Sequence, residues 1–174
     1  TQPPFDWGLA ALLRDFNGDG FPDLYVCNDF ATPDRLWLND GHGHFRAAPA
    51  RTLRHTSLAA MAIDMGDLDR DGHDDFIVVD MLSREHERRL VQRNIMRPEL
   101  APAEQIDGRP QYPRNTLFHA RGDGTFAEIA HFAGIEGTEW SWNPLLLDVD
   151  LDGYEDVLVP NGFVRDNMNL DALN

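Results

Sequence analysis

The sequence predicts an all-β fold, and three observations predict it. A nonapeptide of pattern D-x-[DN]-x-D-G-x-x-D occurs three times, as DFNGDGFPD from Asp15, DLDRDGHDD from Asp67 and DVDLDGYED from Asp148. Each copy lies between two short apolar runs. A further pattern, DRLWLNDGHGHF at 34–45, recurs as NTLFHARGDGTF at 115–126. Together these make a unit of about four short strands, repeating on the order of every 50 residues, which is the arithmetic of a β-propeller. The predicted architecture is a partial β-propeller of two to three four-stranded blades with one helical or irregular insertion.

The apolar runs before the acidic loops are LAALLR, AAMAID and NPLLL; those after them are LYVCN, FIVVD and VLVPN. Runs this short, rich in Val, Leu and aromatics and bounded by turn residues, read as buried strands. The second repeated pattern reads as strand, Gly-rich turn and strand, because Asn-Asp-Gly and Gly-Asp-Gly are hairpin chemistry. The first two acidic loops start 52 residues apart and the last two 81 apart, so an insertion of about 29 residues separates the latter pair. It is placed at 83–113. Blade units are expected at about 9–58, 59–130 (carrying that insertion) and 141–174, the last incomplete. Within the insertion, SREHERRLVQRNIMR reads as a helix, with Leu90, Val91 and Ile95 as a narrow apolar stripe and Arg84, Arg88, Arg89, Arg93 and Arg97 as a basic face. Pro98 stops it, and 98–113 reads as an irregular loop. The basic face is either a solvated surface laced with salt bridges or a docking element for an acidic partner or for the propeller's own surface.

Composition bounds what this scaffold can do. With 174 residues, 42% hydrophobic and 26% charged, the chain can bury one ordinary core. Its formal net charge of -15 makes nucleic acid and acidic membranes poor partners and favours a cationic ligand or a metal. All 15 basic residues are Arg. The single Cys27 forbids an internal disulfide and reads as a buried, inert thiol. No apolar run approaches the ~18 residues of a membrane span. TQPPFDWG is no signal peptide, which leaves either a removed leader or an internal piece of a longer chain.

The acidic loops read as cation cages. Oxygens at positions 1, 3 and 5 of a tight turn point inward together: Asp15, Asn17 and Asp19; Asp67, Asp69 and Asp71; Asp148, Asp150 and Asp152. Gly20, Gly72 and Gly153 at position 6 permit the bend. The backbone carbonyls of Phe21, His73 and Tyr154 and the carboxylates of Asp23, Asp75 and Asp156 complete an all-oxygen set. Ca²⁺ takes ~6–8 oxygens in a flexible array, whereas Mg²⁺ demands a stricter octahedron and keeps its waters, so Ca²⁺ is the expected ion. The loop departs from an EF-hand at position 12, where Val26, Val78 and Val159 stand in place of a bidentate Glu. Up to three Ca²⁺ would shift the formal charge from -15 to -9 and relieve the crowding. The alternative is a set of solvated, metal-free turns; three copies in matching register weigh against it. Repeated sites of this kind read as staples with affinities of ~10⁻⁴–10⁻³ M. Millimolar Ca²⁺ points to an extracellular, periplasmic or cell-envelope location.

D-x-D-x-D-G-x-x-D between short strands, followed by N-D-G-x-G-x-F, resembles the FG-GAP/VCBS repeats of integrin-α-like β-propellers. The phrases HTSLAAMAIDMGDLDRDGHDDFIVVDML, GDGTFAEIAHFAGI, TEWSWNPLLLDVDLDGYEDVLVPNG and VRDNMNLDAL resemble the bacterial branch related to cartilage acidic protein and the ASPIC/UnbV proteins. The resemblance implies calcium loops on one rim of a propeller in a secreted or envelope protein that binds partners. Asn17 replaces the commoner Asp at position 3, which keeps an oxygen and removes a charge. A closed propeller needs ~4–8 blades, so the remaining blades are expected from the same or another chain.

Other constellations take bland readings. RGD at 121–123 falls on the hairpin turn that NDGHGHF matches. Trp140 and Trp142 could stack on a sugar if exposed, but packing between blades is favoured. His42 and His44 have no third zinc-type ligand near in sequence, and His55 lies in no hydrolase motif. The functional expectation is non-catalytic binding or assembly with a protein or glycan partner. The alternatives are a propeller enzyme acting on glycans, as hydrolase or lyase, or a structural subunit of a large envelope complex.

Overall fold

A computed structural model describes residues 6–30, 32–95 and 109–162, the side chains of 93–95 excepted. Its elements follow in chain order as β1 (Gly8–Arg14), β2 (Asp23–Asn28), β3 (Arg35–Asn39), β4 (Phe45–Ala47), β5 (Thr56–Ser57), β6 (Ala62–Gly66) and β7 (Asp75–Val79). Then come α1 (His86–Ile95), β8 (Gln111–Tyr112), β9 (Thr116–Ala120), β10 (Phe126–Glu128), α2 (Ala130–Ala133), β11 (Leu145–Leu147) and β12 (Asp156–Leu158). The fold is all-β and propeller-like. One four-stranded antiparallel sheet runs β1-β2-β3-β4 and a second runs β6-β7-β9-β10; β11 and β12 form an antiparallel ribbon. Each acidic loop is the connection inside one of the pairs β1–β2, β6–β7 and β11–β12.

The sheets stack in sequence order. Phe16, Tyr25, Leu36 and Leu38 of the first sheet interdigitate with Met65, Phe76, Val78, Phe118 and Phe126 of the second. Phe76 is the hub. Its ring centroid lies 4.6 Å from Phe118, 4.9 Å from Phe126, 5.2 Å from Phe16 and 5.4 Å from Tyr25. Each such pair adds ~0.5–1.5 kcal/mol beyond area burial. The other face of the second sheet, Ile77, Val79 and Leu117, packs on Leu146 and Val159 beside the ribbon. First strands of successive units are tied directly. Arg14 donates to the Met65 carbonyl at 3.1 Å, and the Leu146 N–H donates to Asp64 Oδ2 at 2.8 Å. Cys27 is buried and free, and burial, with Asp34 close by, pushes its thiol well above the ordinary range.

A polar layer closes the end of the sheets away from the acidic loops. In the first sheet Asp34 accepts the Asn28 N–H at 2.8 Å and the Tyr25 hydroxyl at 2.7 Å. In the second sheet the pair is exchanged: Asn115 accepts the Asp80 N–H at 2.7 Å. Either way one acid and one amide satisfy the same backbone group. Burial pushes the Asp34 carboxyl up to about 7, although the Asn28 N–H and the Tyr25 hydroxyl pull it back.

The insertion differs from its expectation at its end. The stretch to Pro113, read as irregular, closes on β8, which pairs in parallel with β5 as the Thr56 and Leu58 N–H groups donate to the Pro110 and Tyr112 carbonyls, while Gln111 Nε2 donates to the carbonyls of Phe30 and Thr32. The helix is present, but Leu90 and Val91 are exposed and the Ile95 side chain lies outside the described ones, so no apolar stripe holds it among the described residues. Gln92 does: buried, it accepts the Ser83 N–H at 2.8 Å and donates to the Met81 carbonyl at 2.9 Å. Pro98 and Arg97 lie outside the described residues. Trp140 packs on Leu58, Ala59 and Met81, while Trp142 is half-exposed and its indole donates to the Gly162 carbonyl. Among the described residues no helix is long and apolar enough to cross a membrane.

Candidate metal centres

The three acidic loops fold alike. At position 1 a carboxylate accepts the N–H groups of positions 5 and 6: Asp15 from Asp19 and Gly20, Asp67 from Asp71 and Gly72, Asp148 from Asp152 and Gly153. Position 3 accepts the N–H of position 5, through Asn17, Asp69 and Asp150. Position 5 accepts the N–H of position 7, that of Phe21, His73 and Tyr154. This winding folds the side chains of positions 1, 3 and 5 back onto the loop's own N–H groups. It also places position 4, not only the Gly at 6, in the left-handed region. Gly18 meets that demand without strain, while Arg70 and Leu151 both sit at φ 62. Position 4 carries no fixed residue type in the pattern, so the sequence alone did not mark it.

The ninth-position acids differ in depth. Asp23 is fully buried; one oxygen accepts the Phe16 N–H at 3.0 Å and the other the Asn39 N–H at 2.8 Å, tying the loop to the β3–β4 hairpin. Burial raises its carboxyl against the pull of those two donors. Asp75 makes the equivalent bond to the Ala120 N–H at 2.8 Å. Asp156 is exposed and accepts the Val149 N–H at 3.0 Å. The side chain at position 7 covers the neighbouring hairpin. A Cβ on Gly41 would lie 2.6 Å from the Phe21 ring, and one on Gly122 2.8 Å from His73 Nε2. That close approach, with positive φ at both, explains the glycines of NDG and RGD; the latter is a hairpin turn capped by Asp123 on Thr125.

The donor chemistry fits a divalent cation. Asp67, Asp69 and Asp71 each bring a ligand oxygen within 4.8 Å of the others, as do Asp148, Asp150 and Asp156. The first loop offers Asp15 and Asp19 with the Asn17 amide between them, and the Asn17 Nδ2 donates to Asp19 at 3.0 Å. An orphaned atom adds to the case. Glu155, from the third loop, stands against Gly66, where Asp64, Asp67 and Asp74 raise its carboxyl after burial. Its Oε2 is buried with no hydrogen-bond partner among the described residues. Leaving such an acceptor unmatched costs ~1–3 kcal/mol. Arg70 lies over the Tyr154 ring at 4.3 Å, so the second and third loops are neighbours.

Two groups escaped the sequence reading. His119 on β9 points Nδ1 at Asp75 Oδ1 (3.1 Å) and Asp69 Oδ2 (3.8 Å). The signal was present, since the alignment of NTLFHARGDGTF with DRLWLNDGHGHF sets His119 opposite Leu38. Glu128 gathers Arg114 Nη2 at 2.6 Å and His55 Nε2 at 3.3 Å, all three side chains largely enclosed. That accounts for His55, which serves an internal ion network. Of the basic face, Arg84 donates to the Gly137 carbonyl, Arg89 pairs with Glu136 at 2.9 Å and Arg88 with Glu85 at 3.1 Å. Arg93 lies on α1.

Comparison with known families gives a match to the FG-GAP-like repeat over residues 15–78 and 106–159, which together span all three acidic loops and more than half of the chain. No curated protein matches the chain.

Proposed function

The chain belongs to the FG-GAP-like repeat family, and from that premise we propose that it is a calcium-stapled β-propeller module that binds or assembles with a protein or glycan partner outside the cytosol, without catalysing a reaction. The observation that carries this reading is the common winding of the three loops, with carboxylates of positions 1, 3 and 5 converging in the second and of positions 1, 3 and 9 in the third, and a buried Glu155 oxygen left unmatched beside the second. Crowded acids in a tight turn repel unless a cation joins them. A divalent ion in each loop ties the first strand of a unit to its second. Staples of modest affinity need millimolar calcium, which supports an extracellular, periplasmic or cell-envelope setting.

Assembly is supported by the apolar flanks. Trp7, Leu9 and Leu13 at β1 and Leu145, Leu147, Val157 and Leu158 on the ribbon are exposed among the described residues, where further blades of the same or another chain would pack. The Arg84 and Arg89 contacts to the 136–137 loop support docking of the basic helix on the propeller's own surface. The enclosed His55–Glu128–Arg114 network supports a structural rather than a catalytic use of those groups. The long phrases of the second and third units resemble the bacterial branch related to cartilage acidic protein and ASPIC/UnbV proteins, which supports membership of that branch. Glycan and extracellular-protein arrays probed in calcium and in chelator test the function. Calcium-dependent retention is expected; cleavage of a glycan would overturn the non-catalytic reading.

A further inference from the structure

We propose that Asn17 and Gly18, at positions 3 and 4 of the first acidic loop, form a self-modifying site: the loop's own groups drive deamidation of Asn17, with Asp15 as the general base. Position 3 is Asp69 in the second loop and Asp150 in the third, followed by Arg70 and Leu151. Only the first loop therefore joins a side-chain amide to a glycine.

The reaction is an attack of the Gly18 backbone nitrogen on Asn17 Cγ, and three contacts serve it. The Gly18 N–H donates to Asp15 Oδ1 at 2.8 Å, so a carboxylate is in place to take the proton that must leave. The Asp19 N–H donates to Asn17 Oδ1 at 2.9 Å, where negative charge develops as the carbon becomes tetrahedral. Asn17 Nδ2, the leaving nitrogen, is turned to Asp19 Oδ2 at 3.0 Å. Asp15 is itself fixed by the N–H groups of Asp19 and Gly20. Gly18 has no side chain to obstruct the approach, and nothing lies within 4 Å of where a Cβ would stand. Gly18 and Asp19 are exposed, so water reaches the loop.

The atoms balance without an outside reagent other than water. Asp15 takes the Gly18 proton as the N–Cγ bond forms. The Cγ–Nδ2 bond then breaks, and ammonia leaves with that proton returned through solvent. The resulting succinimide takes up one water. Opening at Cγ leaves an aspartate at position 17, and the first loop then carries the carboxylate set of the other two. Opening at the other carbonyl leaves an isoaspartate, whose extra backbone methylene breaks the winding between positions 3 and 5. A cation seated on the Asp15 and Asn17 oxygens would occupy both the base and the reacting amide; that protection rests on the reading of the loops as cation cages, and the reaction itself does not.

Peptide mapping by mass spectrometry of the full chain, aged in chelator at neutral pH, tests the proposal by following replacement of amide by carboxyl at Asn17. Asn161 and Gly162, an exposed pair outside the acidic loops, are the internal comparison. Asn17 should react at least ~10-fold faster than Asn161, and Asp15→Asn should slow Asn17 by ~100-fold, the low end of what a positioned base contributes, while leaving Asn161 unchanged. In urea, where these contacts are lost, the parent should show no preference for Asn17, a comparison that stands even where Asp15→Asn disturbs the loop. Equal rates at Asn17 and Asn161 in the folded chain, or a preference for Asn17 that survives in urea, would overturn the proposal. Calcium at a hundred times its dissociation constant leaves about 1% of the loops empty and should slow Asn17 by about 100-fold. Loss of Asn17 at the same rate with and without calcium would sink the calcium reading of this loop and leave the modification site standing; an Asn17 that is inert in chelator would do the reverse.

Discussion

Replacing Glu128 by Gln should destabilise the chain by about 2–3 kcal/mol at neutral pH. The carboxylate ends β10 and accepts four donors. Oε2 takes Arg114 Nη2 at 2.6 Å and pairs with His55 Nε2 at 3.3 Å; Oε1 takes the Ala130 N–H at 2.7 Å and the Leu117 N–H at 3.4 Å. Burial alone would raise its pKa, but His55, Arg114 and the Ala130 N–H outweigh it and hold the carboxyl at about 2 against an ordinary 4.5. That difference corresponds to about 3 kcal/mol of preference for the ionised form in the folded state. Gln keeps the shape and one acceptor oxygen but removes the charge, leaving the Arg114 guanidinium, 13% exposed, without its counter-ion. The sign of the pH dependence follows. A depressed carboxyl contributes stability that is present above the unfolded pKa and lost as pH falls toward the folded one. The gap between parent and variant in urea unfolding should therefore be full at pH 7 and shrink from about pH 5 to pH 3, with m unchanged. A gap below about 1 kcal/mol at pH 7, or one that does not move with pH, would refute the reasoning.

Two further substitutions test the loop geometry and the buried layer. Leu151→Gly relieves a left-handed backbone that costs ~1–2 kcal/mol, against ~0.5–1 kcal/mol of added chain entropy, so thermal melting should rise slightly. Arg70→Gly should show no such gain, because it also removes the ring contact to Tyr154, worth ~0.5–1 kcal/mol; equal gains at both sites would contradict the account. Asp34, raised to about 7 chiefly by burial, works opposite to Glu128. Its contribution is fully present below its ordinary 3.8 and lost as pH rises through about 7. Asp34→Asn, the residue found at the matching position of the second sheet, should gain on the parent from about pH 4 to about pH 7 in urea unfolding and hold that gain above it. A constant difference would argue against a protonated Asp34.

How far the sequence reached depends on which interactions repeat. The acidic loops and the flanking strands were legible because three copies share one pattern of carboxylate, glycine and apolar run. The hairpin glycines were legible as turns, but their closer purpose, room for Phe21 over Gly41 and His73 over Gly122, depends on side chains that arrive from another loop. What failed to show were interactions between units. Phe16, an ordinary x in the pattern, is buried against Phe76 of the next sheet, and Glu155 reaches back to Gly66, just before the second loop. The helix misled in a different way. Its Leu90 and Val91 promised an apolar stripe, yet the segment is held by one buried Gln92 and by arginines on Glu136, Gly137 and its own Glu85. Hydrophobic periodicity cannot register an anchor made of hydrogen bonds.

The central claim is that the acidic loops are cation staples, and calorimetric melting in excess calcium and then in chelator tests it most directly. Each occupied site adds about 2.7 kcal/mol at a calcium concentration a hundred times its dissociation constant. Three sites should therefore raise the melting temperature by many degrees, reversibly on chelation and re-addition. A melting temperature that does not move with calcium would contradict the account.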